Sequence, residues 1–395
     1  MKGKIYFNAS YPYGHASTNR VHNIAKGLTQ NNVQVEIIIT NPTEKNYKTL
    51  NNNMNGIYEE VNFTYISNTT VRHKNIFVRK FIDYYCYFKV YFKILFTSSD
   101  DFMILVGGAY FDFRLLIPLL VKFKKTKLFL EINEYPHINS QNNLLKKIKN
   151  YVFYNLQLPF FDGFIVISEA LSNLLQGNGI SKSKILKIPV LHEKGFYKDF
   201  NNLDFKVPFI IHSGSIANEE KDGMLGCLQA FKLAIDILNT DIKYVIATNY
   251  VNSTEIEKLK EFIKLNNLQN NVIFENNLSK IDLIKYYTKA SLAIVNKSES
   301  KQNIYGFATK ISEYVAFKIP LILTSVGEIN YYFVNDFNAI IIPPNDYKLL
   351  SEKIILLLSN TEKANTLAEN AVMLSETVFN PKIQGKNLSN FIENQ

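Results

Sequence analysis

The sequence predicts an α/β protein of two domains, each a parallel sheet wrapped by helices. Three observations carry that expectation. At 395 residues the chain is too long for one ordinary core and suits two domains of nearly 200 residues each. Residues 4–40 read strand, glycine-containing loop, helix, strand, which is a βαβ unit of parallel sheet. A second such series begins at Phe209. Apolar content of 47% and charged content of 20% describe a globular protein and not a disordered one.

Lys4–Asn8 is the first strand, with Ile5 and Phe7 among its apolar residues. Pro12 and Gly14 make a turn of the next eight residues. From Thr18 the chain is helical, because Val21, Ile24, Ala25 and Leu28 fall three and four apart. Val33–Thr40 is the next strand. The loop holding Gly14 and His15 therefore lies at the carboxyl end of a parallel strand, where α/β sheets bind ligands. Arg20, one of only four arginines, is read as solvated or structural, with contact to an anion as the lesser alternative.

The segment Val71–Phe96 is aromatic and basic. Phe77, Phe81, Tyr84, Phe88, Phe92 and Leu95 share one helical face, with Arg79, Lys89 and Lys93 roughly opposite. The preferred reading is a domain helix that packs these aromatics into the core. The alternative is an interfacial helix lying on a membrane, which the basic clusters 122–127 and 146–149 keep open. Leu128–Ile132 is a strand that runs into Glu131, Asn133 and Glu134. Two carboxylates and an amide at a strand end are costly to bury unless used or solvated. Asp162–Leu171 is a strand followed by a helix capped by Ser168. Lys184–Pro189 is another strand, and the mixed, polar stretch Leu191–Pro208 reads as a linker. The expected division is 1–190, linker 191–208, 209–378, and a C-terminal segment 379–395.

In the second half, Phe209–His212 is a strand and Ser213–Gly223 a polar loop. A helix follows through Leu225, Leu228, Ala230 and Ile235. Tyr244–Ala247, Val272–Phe274 and Ser291–Val295 are strands, Ile281–Lys289 is helical, and Ser298–Asn303 is a polar loop. Tyr305–Thr324 then reads as a short loop, a helix and a buried strand. Gly306 and Thr309 punctuate the loop, and Thr309 or a neighbour caps the helix. Ile311, Val315 and Phe317 supply its apolar positions, Pro320 stops it, and Leu321–Thr324 is the strand. Lys310 and Glu313 fall in the first helical turn, where free N–H groups favour anions. A phosphate fits against that end, with Glu313 reaching past it toward a ribose hydroxyl. The plainer alternative is that Glu313 only offsets the helix dipole and Lys310 is solvated. Asp346 is the expected cap of a later helix, and Pro381–Gln395 is weakly amphipathic.

Residues 1–200 hold 21 Lys and 4 Arg against 14 acids, a net +11, while 201–395 hold 19 Lys against 21 acids, a net −2. An anionic partner is expected for the first half. No nucleic-acid recognition motif is present, so a membrane surface or a phospholipid-linked acceptor is preferred. The six histidines show no metal-ligand spacing. Cys86 and Cys227 read as buried free thiols of a reducing compartment. No signal peptide or spanning segment is read, so the protein is expected to be cytoplasmic or peripheral on the inner face of the cytoplasmic membrane.

The stretch from Gly306 to Glu328, GFATKISEYVAFKIPLILTSVGE, resembles the nucleotide-sugar motif of the family-4-like (group 1) retaining glycosyltransferases. Gly306, Phe307, Glu313, Pro320 and Gly327 match. Tyr305 stands where the first Glu of the family's pair would be, and Lys310, Glu313 and Tyr314 match the Lys-x-x-Glu-Tyr branch that also lacks it. Gly214, Lys221, Asp222 and Gly223 match the family's diphosphate loop, with Ser215 in place of its Arg. Glu275–Leu278, with Asn277, resembles the turn that reads the nucleobase. Gly14 and His15 match the N-terminal glycine loop, and Asp162–Leu171 resembles a segment closing the first domain.

The resemblance implies a GT-B fold, two Rossmann-like domains facing a cleft. It also implies metal-independent, retaining transfer of a sugar from a nucleotide diphosphate sugar. On that reading Lys221 and Lys310 stabilise the leaving diphosphate, Glu313 binds ribose, and Glu134 contacts sugar or acceptor as a candidate base. Gly14, His15, Gly214, Ser215, Asn277, Tyr305, Gly306, Phe307, Ala308 and Thr309 line the donor. The nucleotide sugar is a substrate, so no cofactor is expected. The acceptor is expected to be a cell-surface glycan or a polyprenyl-phosphate-linked chain. Two rivals stand beside this: a non-catalytic GT-B partner of another transferase, and a sugar-nucleotide epimerase.

Overall fold

The computed structural model describes residues 1–47, 49–96, 100–107, 116–122, 124–136, 143–193, 207–214, 216, 222–249 and 254–395. Most of the expected linker, residues 194–206, lies outside them, as do Ser215 and Lys221. The chain divides into two compact units, Met1–Leu191 with Pro381–Gln395, and His192–Asn380.

The first unit contains strands β1 (Lys2–Phe7), β2 (Gln34–Ile39), β3 (Asn55–Tyr58), β4 (Val61–Tyr65), β5 (Phe102–Val106), β6 (Lys127–Ile132), β7 (Gly163–Val166) and β8 (Ile185–Lys187). They form one sheet in the order β3-β4-β2-β1-β5-β6-β7-β8. All neighbours are parallel except the β3–β4 edge pair. Helices α1 (Ala16–Thr29), α2 (Ile76–Phe96), α3 (Ile117–Lys122), α4 (Asn143–Tyr151) and α5 (Glu169–Gly177) connect the strands. Parallel strands buried on both faces explain the long apolar runs in the sequence. The register sets Ile5 beside Ile37 and Ile104, and all three are in the core. Ser168 Oγ accepts the Leu171 N–H, which starts α5 as its residue type predicts.

One feature of this unit settles an open reading and another corrects one. Arg20 takes the structural alternative and is buried. Its Nε donates to Glu131 Oε1 at 2.6 Å, and its two terminal nitrogens donate to the Pro189 and Ile188 carbonyls at 2.7 and 3.0 Å. This guanidinium accounts for the burial of Glu131, because a buried carboxylate is tolerable only when paired. The correction concerns α2. It buries Cys86, Tyr87, Val90, Tyr91 and Ile94, and the expected core face is the one left exposed. Phe77, Phe81, Tyr84, Phe88, Phe92 and Leu95 all face solvent.

The second unit contains β9 (Phe209–Ser213), β10 (Lys243–Thr248), β11 (Val272–Asn276), β12 (Leu292–Val295), β13 (Leu321–Thr324) and β14 (Ile340–Ile342). Their order is β11-β10-β9-β12-β13-β14, parallel throughout. Around them lie α6 (Met224–Leu238), α7 (Thr254–Leu265), α8 (Lys280–Tyr287), α9 (Lys301–Tyr305), α10 (Lys310–Ala316), α11 (Ile329–Tyr332), α12 (Tyr347–Ser359) and α13 (Thr361–Glu376). Asp346 caps α12 by accepting the Leu349 N–H at 2.9 Å. The stretch read as a polar loop at 298–303 instead runs into α9, which Ser300 caps. The last helix, α14 (Pro381–Asn394), packs on α1 in the first unit. Gly27 and Gly385 make that approach possible, since a Cβ on either would lie 2.1 Å from backbone of the other helix.

Strand order reverses in the second sheet between β9 and β12. Ligands of open α/β sheets bind beyond the carboxyl ends of strands at such a point. The residues of interest sit there.

Candidate active site

The carboxyl end of β9 is His212–Ser213–Gly214. Gly214 has φ +115 and its N–H donates to the Ala247 carbonyl at 3.0 Å. That backbone region favours glycine, so the expected glycine has a conformational reason. After the undescribed residues, Asp222 and Gly223 lead into α6. Gly223 has φ +57, and a Cβ there would lie 2.6 Å from Asn296. Asn296 Nδ2 donates to the Gly223 carbonyl at 2.9 Å. Asp222 is buried and accepts from Lys297 Nζ at 3.0 Å. The Lys297 N–H donates to Thr324 Oγ1 at 2.7 Å. The ends of β12 and β13 are thereby tied to the loop that precedes α6.

Helix α10 docks on this end through three residues of one motif. Lys310 Nζ lies 3.2 Å from His212 Nε2. The Tyr314 hydroxyl accepts the Ser213 N–H at 2.9 Å. Glu313 Oε2 accepts from the Tyr287 hydroxyl at 2.8 Å. Ser213 Oγ is 2.6 Å from the Tyr287 hydroxyl and 3.1 Å from that of Tyr314. One donor ordering satisfies every bond: Tyr314 donates to Ser213, Ser213 to Tyr287, and Tyr287 to Glu313. The Lys-x-x-Glu-Tyr spacing thus has a local cause. It sets an ammonium on His212, a carboxylate on Tyr287 and a hydroxyl on the β9 backbone.

The charges of this cluster are unusual. Burial, and then the Lys310 and Lys297 ammonium groups, hold His212 well below the usual histidine range, so its ring is neutral. Burial and the neighbouring Lys297 lower Lys310 to about 7, against the pull of Asp222. Burial raises the Glu313 carboxyl, and the Tyr287 hydroxyl, Lys280 and Lys310 oppose that rise. Two lysines therefore converge on one strand end with Asp222 as the acid bonded to Lys297. Such a place favours an incoming anion, which would return Lys310 to its charged form. Among the described residues, no group of three His, Cys, Asp or Glu side chains is arranged to hold a metal ion.

The remaining candidates are distributed as follows. Tyr305 ends α9, and Gly306 is extended, with a Cβ position only 2.7 Å from the Gln302 carbonyl. Phe307 stacks on Tyr332, with ring centres 5.4 Å apart and planes at 9°, and meets Phe379 edge-on. Ala308 accepts the Ile311 N–H at 3.1 Å. Thr309 precedes α10 in right-handed conformation and makes no side-chain cap bond, contrary to expectation. Asn277 has φ +55, so asparagine here adopts the left-handed turn conformation that glycine would. In the first unit, Gly14 is required by close packing, since a Cβ would lie 2.1 Å from Thr18 Oγ1. His15 sits exposed at the start of α1, and Glu134 lies exposed beyond β6. His212 and Lys297 belong to the cluster and were missed. A histidine inside a buried strand, and a lysine directly after an apolar parallel strand, were the available signals.

Residues 194–372 match the family model for glycosyl transferases group 1. A curated relative, an uncharacterized glycosyltransferase of Methanocaldococcus jannaschii, is 30% identical over 116 residues. That match spans 27% of this chain and 31% of the length of the relative. Among solved structures, HepE of Anabaena in complex with UDP is 14% identical, with a TM-score of 0.72 over 100% of both chains. A glycosyltransferase of Rickettsia africae is 18% identical, with a TM-score of 0.69 over 99% of this chain and 98% of its own. Sucrose-phosphate synthase of Thermosynechococcus elongatus is 13% identical, with a TM-score of 0.71 over 100% of this chain and 98% of its own. These likenesses show the GT-B fold, and residues 194–372 are similar to the group 1 glycosyl transferases.

Proposed function

We propose that this protein transfers a hexosyl or N-acetylhexosaminyl unit from a nucleotide diphosphate sugar to a cell-surface glycan or lipid-linked acceptor. The observation that carries the proposal is the pairing of Lys310 with neutral His212, one helical turn from Glu313 held by Tyr287. When a nucleoside diphosphate departs, negative charge develops on it, and fixed cations stabilise that charge. Lys310 takes that role with Lys221, which lies outside the described residues. Lys297, locked by Asp222, adds to the local positive field. These cations let the transfer proceed without a metal. Glu313, fixed in orientation, accepts hydrogen bonds from the donor ribose. The transfer is proposed to retain anomeric configuration, as the sequence resemblance implies, and to take place in the cytoplasm. A UDP-sugar is the favoured donor, in keeping with the UDP-glucose complex of HepE.

The test is a thermal-shift and calorimetry screen of the purified protein against UDP-, GDP-, ADP- and dTDP-sugars, with and without EDTA. It is repeated on Lys310→Ala and Glu313→Ala. A ligand that binds the folded protein raises its melting temperature by mass action. One nucleotide that binds saturably, ignores EDTA and fails on both variants is the expected result. No binding by any of them would overturn the donor site. It would favour the second reading, a non-catalytic partner of another transferase, for which Tyr305 in place of a donor-contacting carboxylate is the specific observation.

A further inference from the structure

We propose that the exposed aromatic stripe of α2 is a docking surface for an anionic lipid bilayer. Phe77, Phe81 and Phe92 are 80%, 73% and 66% exposed, and Phe96 is 72% exposed. Water-facing phenylalanines so closely spaced make an apolar patch that a soluble surface ordinarily avoids. On a 100° helical wheel, residues 77, 81, 84, 88, 92 and 95 fall within one narrow stripe. The exposed Lys80 lies along one edge of it, the half-buried Lys89 beyond the other, and the half-buried Lys93 farther round toward the opposite side. The Lys89 ammonium sits 4.8 Å from the centre of the Tyr85 ring. Neighbouring α3 packs against α2 and adds the exposed Leu119.

Charge selects the occupant. Between residues 72 and 96 there are six Lys and Arg and one acid, Asp83. That acid is turned inward, where Asn41 Nδ2 donates to it at 2.6 Å. A second copy of this chain would bring the same cationic edges face to face, which is repulsive. An anionic bilayer complements both features. Aromatic rings sit at the headgroup and acyl boundary, and flanking lysines reach back to the phosphates. Among the described residues no helix is long and apolar enough to cross a membrane, so the contact is with the surface.

The experiment is co-sedimentation of the full chain with vesicles of phosphatidylcholine alone and of phosphatidylcholine mixed with phosphatidylglycerol. Wild type should bind the anionic vesicles and release them in high salt. Lys80→Gln, Lys89→Gln and Lys93→Gln together should weaken binding by about fivefold per charge, on the order of a hundredfold in all. Phe77→Ser, Phe81→Ser and Phe92→Ser together should abolish it, with unchanged far-UV circular dichroism. The chain contains no tryptophan, so Phe81→Trp supplies a single tryptophan, excited selectively at the red edge of the tyrosine absorption. Its emission should shift to the blue on anionic vesicles and be quenched by brominated acyl chains. Equal binding to neutral vesicles, or no binding to either, would overturn the proposal. So would a concentration-dependent dimer that the serine variant alone dissolves, since the occupant would then be a second copy.

Discussion

Replacing Lys310 with Met should stabilise the fold while weakening anion binding. An ammonium held at about 7 instead of an ordinary 10.5 is an expensive group to bury. Each pH unit of such a shift corresponds to about 1.4 kcal/mol, which sets an upper bound of about 5 kcal/mol. Lys310 keeps some access to water, so about 2 kcal/mol is the expected cost at neutral pH. The sign follows from linkage. Between pH 7 and 10.5 the unfolded lysine holds a proton that the folded one has released, so stability rises with pH in that window. Below pH 7 both states are protonated and the full cost remains. Urea unfolding of wild type and Lys310→Met at pH 7 and pH 9 tests this. The variant should be the more stable at pH 7, by about 2 kcal/mol, and the gap should narrow by about 1 kcal/mol at pH 9. Groups elsewhere, such as Cys86 pushed up to about 11 by burial, are common to both proteins and cancel. A variant less stable than wild type at pH 7 would refute the reasoning. It would mean that the bond to His212 outweighs the cost of burying the charge.

Three further outcomes follow from the same geometry. UDP affinity measured by calorimetry should fall as pH rises from 6.5 to 8.5, by at most about tenfold per pH unit, and Lys310→Met should flatten that dependence. Tyr287→Phe removes the donor to Glu313 and the acceptor of the Ser213 hydroxyl proton, while Ser213 Oγ keeps its bond from Tyr314. It should cost about 1–2 kcal/mol in chemical denaturation and weaken UDP binding, and retention of full affinity would show that Glu313 needs no positioning. Arg20→Ala leaves Glu131 buried without its partner and should cost about 3–5 kcal/mol. Arg20→Lys should recover little of this, because a lysine cannot reach Glu131 and two carbonyls at once.

The strands were legible because parallel sheet writes itself as short apolar runs. Leu321–Thr324 emerges with the bounds its sequence suggested, and β10 and β11 extend by a residue or two. Caps with a side-chain acceptor, Ser168 and Asp346, were equally readable. Thr309 was misread because a threonine before a helix is only a candidate cap, and its backbone here is already helical. The site was half legible. Lys310, Glu313 and Tyr314 stood out as a motif, but their anchors come from elsewhere in the chain. His212 lies 98 residues before Lys310, and Tyr287 lies 26 before Glu313. Arg20 shows the same limit more sharply. Its partner is 111 residues away and its two carbonyl acceptors 168 and 169. No local pattern distinguishes such an arginine from a solvated one.

Helix α2 reveals a different failure, and a more instructive one. Hydrophobic periodicity identifies a face, and burial is then assigned to the more apolar face. That inference fails when a helix is apolar on more than one side. Here Cys86, Val90 and Ile94 form a second stripe with Tyr87 and Tyr91. The residues of this stripe are smaller or carry hydroxyl groups that can meet hydrogen-bonding partners inside the protein. The phenylalanine stripe is larger and, apart from the Tyr84 hydroxyl, apolar, so it looked more like core. Only tertiary structure decides between them, because a helix lying against a sheet buries one side of itself. A sequence with two apolar faces therefore states that two surfaces need covering, and the fold covers one. The exposure of phenylalanine beside lysine, with the sole acid turned inward, is what gives the second surface a function to be tested instead of a packing error to be explained.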